Sequence, residues 1–132
     1  MGGKQKINGF QDLDVYQTLF KLMTVVITKV IVKLPKEEKF DLVDQMRRAS
    51  KATTALLAEG FAKRYQKKQW SKYLDDTLGE CYEMINHLST IKAVYPNNCN
   101  PASCQILIEK YDICCRQLMK LKQAWTDYHK ND

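Results

Sequence analysis

The segment at residues 45–64, QMRRASKATTALLAEGFAKR, decides the fold predicted for this chain. On a helical wheel of about 100° per residue, one stripe of this segment and of the residues just before it is apolar or small: Leu42, Met46, Ala49, Thr53, Leu56, Leu57 and Gly60. Such a stripe predicts burial. The side of the helix away from this stripe carries Arg47 and Lys51. Further along, that side carries small residues: Thr54, Ala55 and Ala58. Because small side chains let a second backbone come close, we expect this helix to have neighbours on two sides.

Length and composition indicate one domain with an excess of positive charge. The chain has 132 residues, enough for one sizeable core. We expect a flexible arm at residues 1–9 and a single domain over residues 10–130. Lysine and arginine number 21 against 15 aspartate and glutamate, which leaves +6 and favours acidic partners.

The same composition indicates where the protein works. The five cysteines are an odd number without disulfide-scaffold spacing, which is typical of a reduced protein. The N-terminus has no secretory signal pattern, and no apolar run approaches membrane-spanning length without a charge. We therefore expect a cytoplasmic protein with no membrane partner.

The first helix is predicted over residues 13–34, where apolar residues recur at spacings of three and four. Its predicted core stripe is Tyr16, Phe20, Met23, Ile27, Val30 and Leu34. The far side is apolar as well, with Val15, Leu22 and Val26. An apolar arc this wide exceeds what one small core covers, so these three residues are predicted to lie at an oligomer interface. Small residues on other helices are assigned to the same interface: Ala55, Ala58 and Gly79.

Three more amphipathic helices are predicted. The second begins near Pro35 and runs to about residue 64. The third ends at Tyr95 and buries one stripe: Trp70, Tyr73, Leu74, Thr77, Cys81, Met84, Ile85, Leu88 and Ile91. Asn100 and Pro101 open the fourth, which buries Leu107, Tyr111, Cys114, Leu118, Leu121 and Trp125. With no strand pattern, the predicted class is all-α, an antiparallel up-down-up-down four-helix bundle that assembles as a homo-oligomer.

This topology predicts that positive charge gathers at one end of the bundle. The N-terminal arm, the turn between the second and third helices and the C-terminus meet there, with Lys4, Lys6, Lys63, Arg64, Lys67, Lys68, Lys120, Lys122 and Lys130. The other end is predicted to be near neutral.

Several motifs resemble the four-helix-bundle family of proteins encoded in ribosomal-RNA intervening sequences. They are FQDLDVYQ at residues 10–17, LPKEEKFDLVDQMRRAS at 34–50, AEG at 58–60 and, after Trp70 and Leu74, LGECYE at 78–83. The accessory variability determinants (Avd) of diversity-generating retroelements resemble the chain more distantly. Leu56 and Leu57 stand where the intervening-sequence branch usually has an Asn-Ile pair. The resemblance implies a non-enzymatic homopentamer, arranged as a barrel, that offers basic surfaces to nucleic acid or to a nucleic-acid-handling partner.

Two cationic groups are candidate nucleic-acid contacts. The first is Arg47, Arg48 and Lys51. The alternative is that both arginines pair, across the bundle or across a subunit interface, with third-helix carboxylates: Asp75, Asp76, Glu80 and Glu83. The second is the turn at residues 63–72, with Lys63, Arg64, Lys67, Lys68 and Lys72, joined at the same end by Lys120 and Lys122. Tyr65 and Trp70 interleave with these cations and could stack on bases, but Trp70 is also predicted to be in the core. The alternative for this turn is an ordinary solvated surface.

Catalytic and metal sites are not predicted. Glu83 and His87 are four residues apart and have no counterpart on another helix, so a di-metal bundle site is disfavoured. No serine or cysteine has a suitable neighbouring histidine, and the cysteines are predicted to behave as small apolar residues. We expect no cofactor.

The sequence therefore favours a non-enzymatic, oligomeric helical bundle that binds nucleic acid, RNA more than DNA. One alternative is an adaptor for a reverse transcriptase or another nucleic-acid-handling protein. Another is a purely structural assembly whose basic groups form salt bridges between subunits.

Overall fold

The computed structural model describes the backbone of residues 6–128 and the side chains of residues 6–125. Lys4, Lys130 and most of the predicted arm at residues 1–9 lie outside the described residues, as does the end of the predicted domain at residue 130.

Four helices make up the described part of the chain, which contains no strand. They are α1 (Asp14–Val25), α2 (Leu42–Ala62), α3 (Lys67–Val94) and α4 (Pro101–Tyr128). A 3-10 turn, Phe10–Asp12, precedes α1. A π turn, Val26–Val30, and a 3-10 turn, Ile31–Lys33, extend α1 without a break. The all-helical prediction is confirmed.

The second helix begins later than predicted. After Pro35 the chain forms only a 3-10 turn, Lys36–Glu38, and α2 starts at Leu42. The Glu38 side chain accepts a hydrogen bond from the Leu42 backbone N–H at 3.3 Å. One acidic residue of the predicted first turn therefore caps α2 from outside.

The core lies between the inner faces of all four helices. On α2 it follows the predicted stripe closely, with Leu56 only half-buried. The largest fully buried side chains of α3 and α4 are Trp70, Leu74, Met84, Leu88, Ile91, Tyr111 and Leu118. All five cysteines are free and buried, in agreement with their predicted role as small apolar residues.

The first helix turns its other face to the core, which corrects the sequence prediction. Val15, Leu22 and Val26, predicted to lie at an oligomer interface, are buried within the chain itself together with Leu19. Both arcs have helical spacing, so periodicity alone does not distinguish them. The inner arc is aliphatic, whereas the outer arc carries bulky rings: Phe10 stacks edge-on against Tyr16 at 4.8 Å, and Tyr16 lies 6.0 Å from Phe20. Phe20 remains 48% exposed.

Contacts between helices fix their relative directions. Lys122, late in α4, pairs with Asp75, early in α3, at 2.8 Å. Lys92, late in α3, donates a hydrogen bond to Gln105, early in α4, at 2.6 Å. These two helices therefore run in opposite directions. Each of them also packs on a different neighbour, α3 on α2 and α4 on α1.

The first helical stretch, Asp14–Lys33, is long and apolar enough by length and composition to cross a membrane, and 33% of its most apolar window is buried. The stretch contains Lys21 and Lys29, and the sequence expectation concerned only runs of that length without a charge. The core helix of a globular protein passes the same test, and the inner arc of this stretch supplies core residues.

Candidate nucleic-acid interface

Arg47 and Lys51 are one helical turn apart on the exposed side of α2. Residues four apart on a helix are surface neighbours, so their charges lie side by side. Neither cation pairs with any carboxylate among the side chains described for residues 6–125. They form a two-cation surface that faces solvent.

Arg48 differs from its neighbour because it pairs with Asp44 on its own helix at 3.0 Å. Within one chain, the described residues do not show the predicted alternative in which both arginines bind third-helix carboxylates; the form of that alternative in which they pair across a subunit interface stays a prediction. Those carboxylates have other neighbours: Asp75 binds Lys122, Asp76 binds Lys72, and Glu83 contacts His87 at 3.3 Å. The predicted acidic side of α3 is therefore largely engaged within α3 and with α4.

The turn between α2 and α3 presents one aromatic ring. Tyr65 is 75% exposed. The guanidinium carbon of Arg64 lies 4.5 Å from the centre of this ring and 4.0 Å from the centre of Phe61. Arg64 also donates hydrogen bonds to the Phe61 carbonyl oxygen at 2.9 Å and to the Tyr65 hydroxyl at 3.2 Å. The Arg64 guanidinium thus holds the exposed Tyr65 ring in position, an arrangement suited to base stacking.

Trp70, the other aromatic residue of the predicted turn at residues 63–72, lies in α3 and cannot stack on a base. It is 1% exposed, and its ring packs edge-on against Phe61 at 6.2 Å and Trp125 at 5.9 Å. Its predicted place in the core is confirmed.

Two lysines of the predicted basic segment at residues 63–72 have intramolecular partners. Lys63 donates a hydrogen bond to the Tyr73 hydroxyl at 3.1 Å and lies 3.7 Å from Glu59. The bond to Tyr73, with a smaller effect of Glu59, raises the pKa of Lys63. Asp76, 2.7 Å from Lys72, raises the pKa of that lysine in the same way. Both stay cationic at neutral pH, and an exposed ion pair contributes little to stability, so a phosphate can replace the carboxylate.

Of the remaining predicted cations, two have no ion pair among the described side chains and two interact within the chain. Lys68 and Lys120 are exposed and make no ion pair with the side chains described up to residue 125. Lys122 pairs with Asp75, and Lys67 takes part in an interaction within the chain.

Three pairs were visible in the sequence as carboxylates four residues from a cation: Asp44 with Arg48, Glu59 with Lys63 and Lys72 with Asp76. That spacing favours pairing on a helix, and the sequence prediction did not use it.

A groove of about 330 Å3 lies between α2 and α3. Its floor includes Ala49 and Ala52, and its walls carry Arg48, Glu80 and Glu83. Burial, followed by the nearby charge of Glu83, raises the pKa of Glu80. No cluster of three or more possible metal ligands was found among the residues described.

The small residues assigned to an oligomer interface lie at or near the surface. Ala55 and Gly79 are exposed and Ala58 is half-buried. A Cβ atom built on Gly79 would meet nothing within 4 Å, so no close neighbour within one chain requires a glycine there. Gly60 does allow a close approach, because a Cβ atom there would lie 2.4 Å from the Tyr73 Cβ.

Comparison with known protein families places most of the chain within a described family. A family model described as 23S rRNA-intervening sequence protein matches residues 11–120. No significant match was found among curated proteins or among solved structures. Since the match spans well over half of the sequence and includes all the motifs quoted above apart from the first residue of FQDLDVYQ, the chain belongs to the family of 23S rRNA-intervening sequence proteins.

Proposed function

We propose that this protein is a non-enzymatic homo-oligomer that binds RNA through contacts with phosphates. The observation that carries the proposal is the exposed pair Arg47 and Lys51, which have no carboxylate partner among the described side chains. Among the other predicted contacts, Lys68 and Lys120 are exposed cations of the same kind elsewhere on the surface. Cations that are not neutralised by the protein can neutralise phosphates, and phosphate contacts supply affinity without reading sequence.

Unpaired RNA is the preferred ligand. The ring of Tyr65 is exposed and braced by Arg64, and unpaired bases stack on such rings whereas bases inside a duplex are already stacked. The family description, which refers to an intervening sequence of 23S ribosomal RNA, also supports an RNA-related role.

Replacing Tyr65 tests the stacking contact. Tyr65→Ala is expected to weaken binding of a single-stranded RNA about fivefold to tenfold, the lower end of measured base-stacking contributions. Tyr65→Phe keeps the ring and is expected to bind within about twofold of the unmodified chain. Fluorescence anisotropy with a labelled oligoribonucleotide measures both. Equal losses in the two variants would contradict stacking.

The proposed assembly uses the outer arc of α1. Phe20 is exposed, and Tyr16, Met23 and Ile27 are only half-buried. Met23 contacts the Thr54 hydroxyl at 3.8 Å, and Ala58 lies one turn further along the same side of α2. The arc thus continues onto small residues where a second copy can approach. We propose an antiparallel up-down-up-down bundle as the protomer and a pentamer as the assembly.

A charged residue on this arc tests the assembly. Phe20→Asp is expected to shift the protein from oligomer to monomer at micromolar concentration, because burying an unpaired carboxylate in an apolar interface is strongly unfavourable. Native mass spectrometry measures the mass. Phe40→Asp is the matched control, since Phe40 is 87% exposed away from any helix, and it should leave the mass unchanged. A monomeric unmodified chain would rule out the assembly.

Binding measurements at low salt separate the proposal from its rivals. The favoured function predicts that the protein alone binds single-stranded RNA more tightly than duplex DNA. A reverse-transcriptase adaptor would bind nucleic acid only in the presence of its protein partner, and a purely structural assembly would bind none. Either of those results would overturn the proposal.

A further inference from the structure

The end of the first helical stretch and the start of α4 border a cavity of about 310 Å3. This volume falls at the lower end of the range common for small-molecule sites, about 300–1,000 Å3. Apolar side chains form part of the lining: Val25, Val30 and Leu107. The π turn Val26–Val30 contributes to this wall, and single π turns inserted in helices are frequent at functional sites.

Three cations surround the cavity. Lys29 and Lys33 come from the end of the first helical stretch, and Lys110 comes from α4. All three are exposed, and none pairs with a carboxylate among the side chains described. No aspartate or glutamate is among the lining residues. The site therefore combines an apolar wall with uncompensated positive charge.

One of these lysines, Lys33, lies close enough to act on two thiols that line the cavity. Burial and the nearby Cys99 raise the pKa of the Cys104 thiol, and the positive charges of Lys92, which is outside the lining, and of Lys33 oppose that rise. Burial likewise raises the pKa of Cys99, against the charge of Lys33. The start of α4 adds little, because the Asn100 side chain already accepts hydrogen bonds from the backbone N–H groups of Ala102 and Ser103 at 2.8 and 3.3 Å.

We propose that this cavity binds a small phosphate monoester with an apolar or aromatic body, an anion of mononucleotide size. The phosphate would lie among the three ammonium groups, since lysine binds phosphate as a point charge. The body would pack against Val25, Val30 and Leu107. The site is separate from the proposed RNA surface because none of its lysines belongs to that surface.

Saturation-transfer difference NMR on the full chain, with AMP as the probe, tests the proposal. AMP is expected to give a saturable signal that inorganic phosphate competes away, and adenosine is expected to bind at least about tenfold more weakly. The triple variant Lys29→Gln, Lys33→Gln, Lys110→Gln should also bind AMP at least about tenfold more weakly. Lys21→Gln, an exposed lysine outside the cavity, should bind AMP normally.

Three results would overturn the proposal: no saturable signal up to about 10 mM AMP, equal binding of AMP and adenosine, or full binding by the triple variant. Thermal unfolding by circular dichroism confirms that each variant is folded, since the substituted side chains are exposed. RNA affinity of the triple variant is a separate readout and should fall only by the small amount that the lower net charge causes, so failure of the cavity site is distinguishable from failure of RNA binding.

Discussion

Gly60→Leu is expected to lower the free energy of unfolding by about 3 kcal/mol or more, at the upper end of overpacking costs. A Cβ atom at this position would lie 2.4 Å from the Tyr73 Cβ, 2.9 Å from its Cγ and 3.1 Å from the Trp70 ring. The closest of these atoms is next to the α3 backbone, so a side-chain rotation cannot relieve the clash. Separation of α2 from α3 is the remaining response, and it opens the core around Trp70. Urea unfolding followed by circular dichroism measures the loss.

Alanine at the two helical glycines gives a matched comparison. Both Gly60 and Gly79 lie inside helices, where alanine is favoured over glycine by up to about 1 kcal/mol. Gly79→Ala should therefore stabilise each protomer, because nothing lies within 4 Å of the added methyl group. Gly60→Ala should destabilise it, because steric overlap outweighs the helical preference. A Gly60→Ala protein as stable as Gly79→Ala would contradict close packing at position 60.

The mass of the Gly79→Ala protein adds a second readout. If Gly79 faces another protomer at close range, as predicted from the sequence, the added methyl group should reduce the mass of the native assembly although each protomer is more stable. An unchanged mass would remove Gly79 from the interface.

The double charge reversal Arg47→Glu, Lys51→Glu is expected to weaken single-stranded RNA binding about a hundredfold at low salt. Each substitution replaces attraction for a phosphate with repulsion. Because both side chains are exposed and have no carboxylate partner among the described residues, the fold loses no ion pair. Fluorescence anisotropy measures the change.

The control for this variant has the same change in net charge. Lys21→Glu, Lys36→Glu alters two exposed lysines outside the proposed RNA surface and should weaken binding by much less, through the net charge alone. If control and test variants lose affinity equally, binding depends on total charge and not on the α2 surface.

The sequence predicted the buried stripe of α2 well, although not where the helix begins, because only one of its faces is strongly apolar. Arg47, Lys51 and Glu59 mark the solvent side of that helix, so the buried stripe has one possible position. The first helix has no comparable row of charged residues that identifies its solvent side. Val15 and Leu22 repeat at helical spacing just as Tyr16 and Phe20 do, and the choice between them depends on shape complementarity with α2 and α4, which no single-helix pattern contains.

Charge compensation and the cavity were harder to predict for different reasons. Pairs within a helix follow from spacing, as for Asp44 with Arg48. The pair between Lys122 and Asp75 joins residues of two helices and requires their relative register. The cavity lysines likewise come from distant parts of the chain, so the end predicted to be near neutral carries an uncompensated positive patch that a count of local charges does not reveal.

The salt dependence of single-stranded RNA affinity tests the central claim most directly. If Arg47, Lys51, Lys68 and Lys120 each neutralise a phosphate, the slope of log K against log salt concentration should be near about −3, from about −0.7 for each contact on a single strand. The Arg47→Glu, Lys51→Glu protein should have a visibly flatter slope. A slope near zero, or no binding at low salt, would contradict an RNA-binding function based on phosphate contacts.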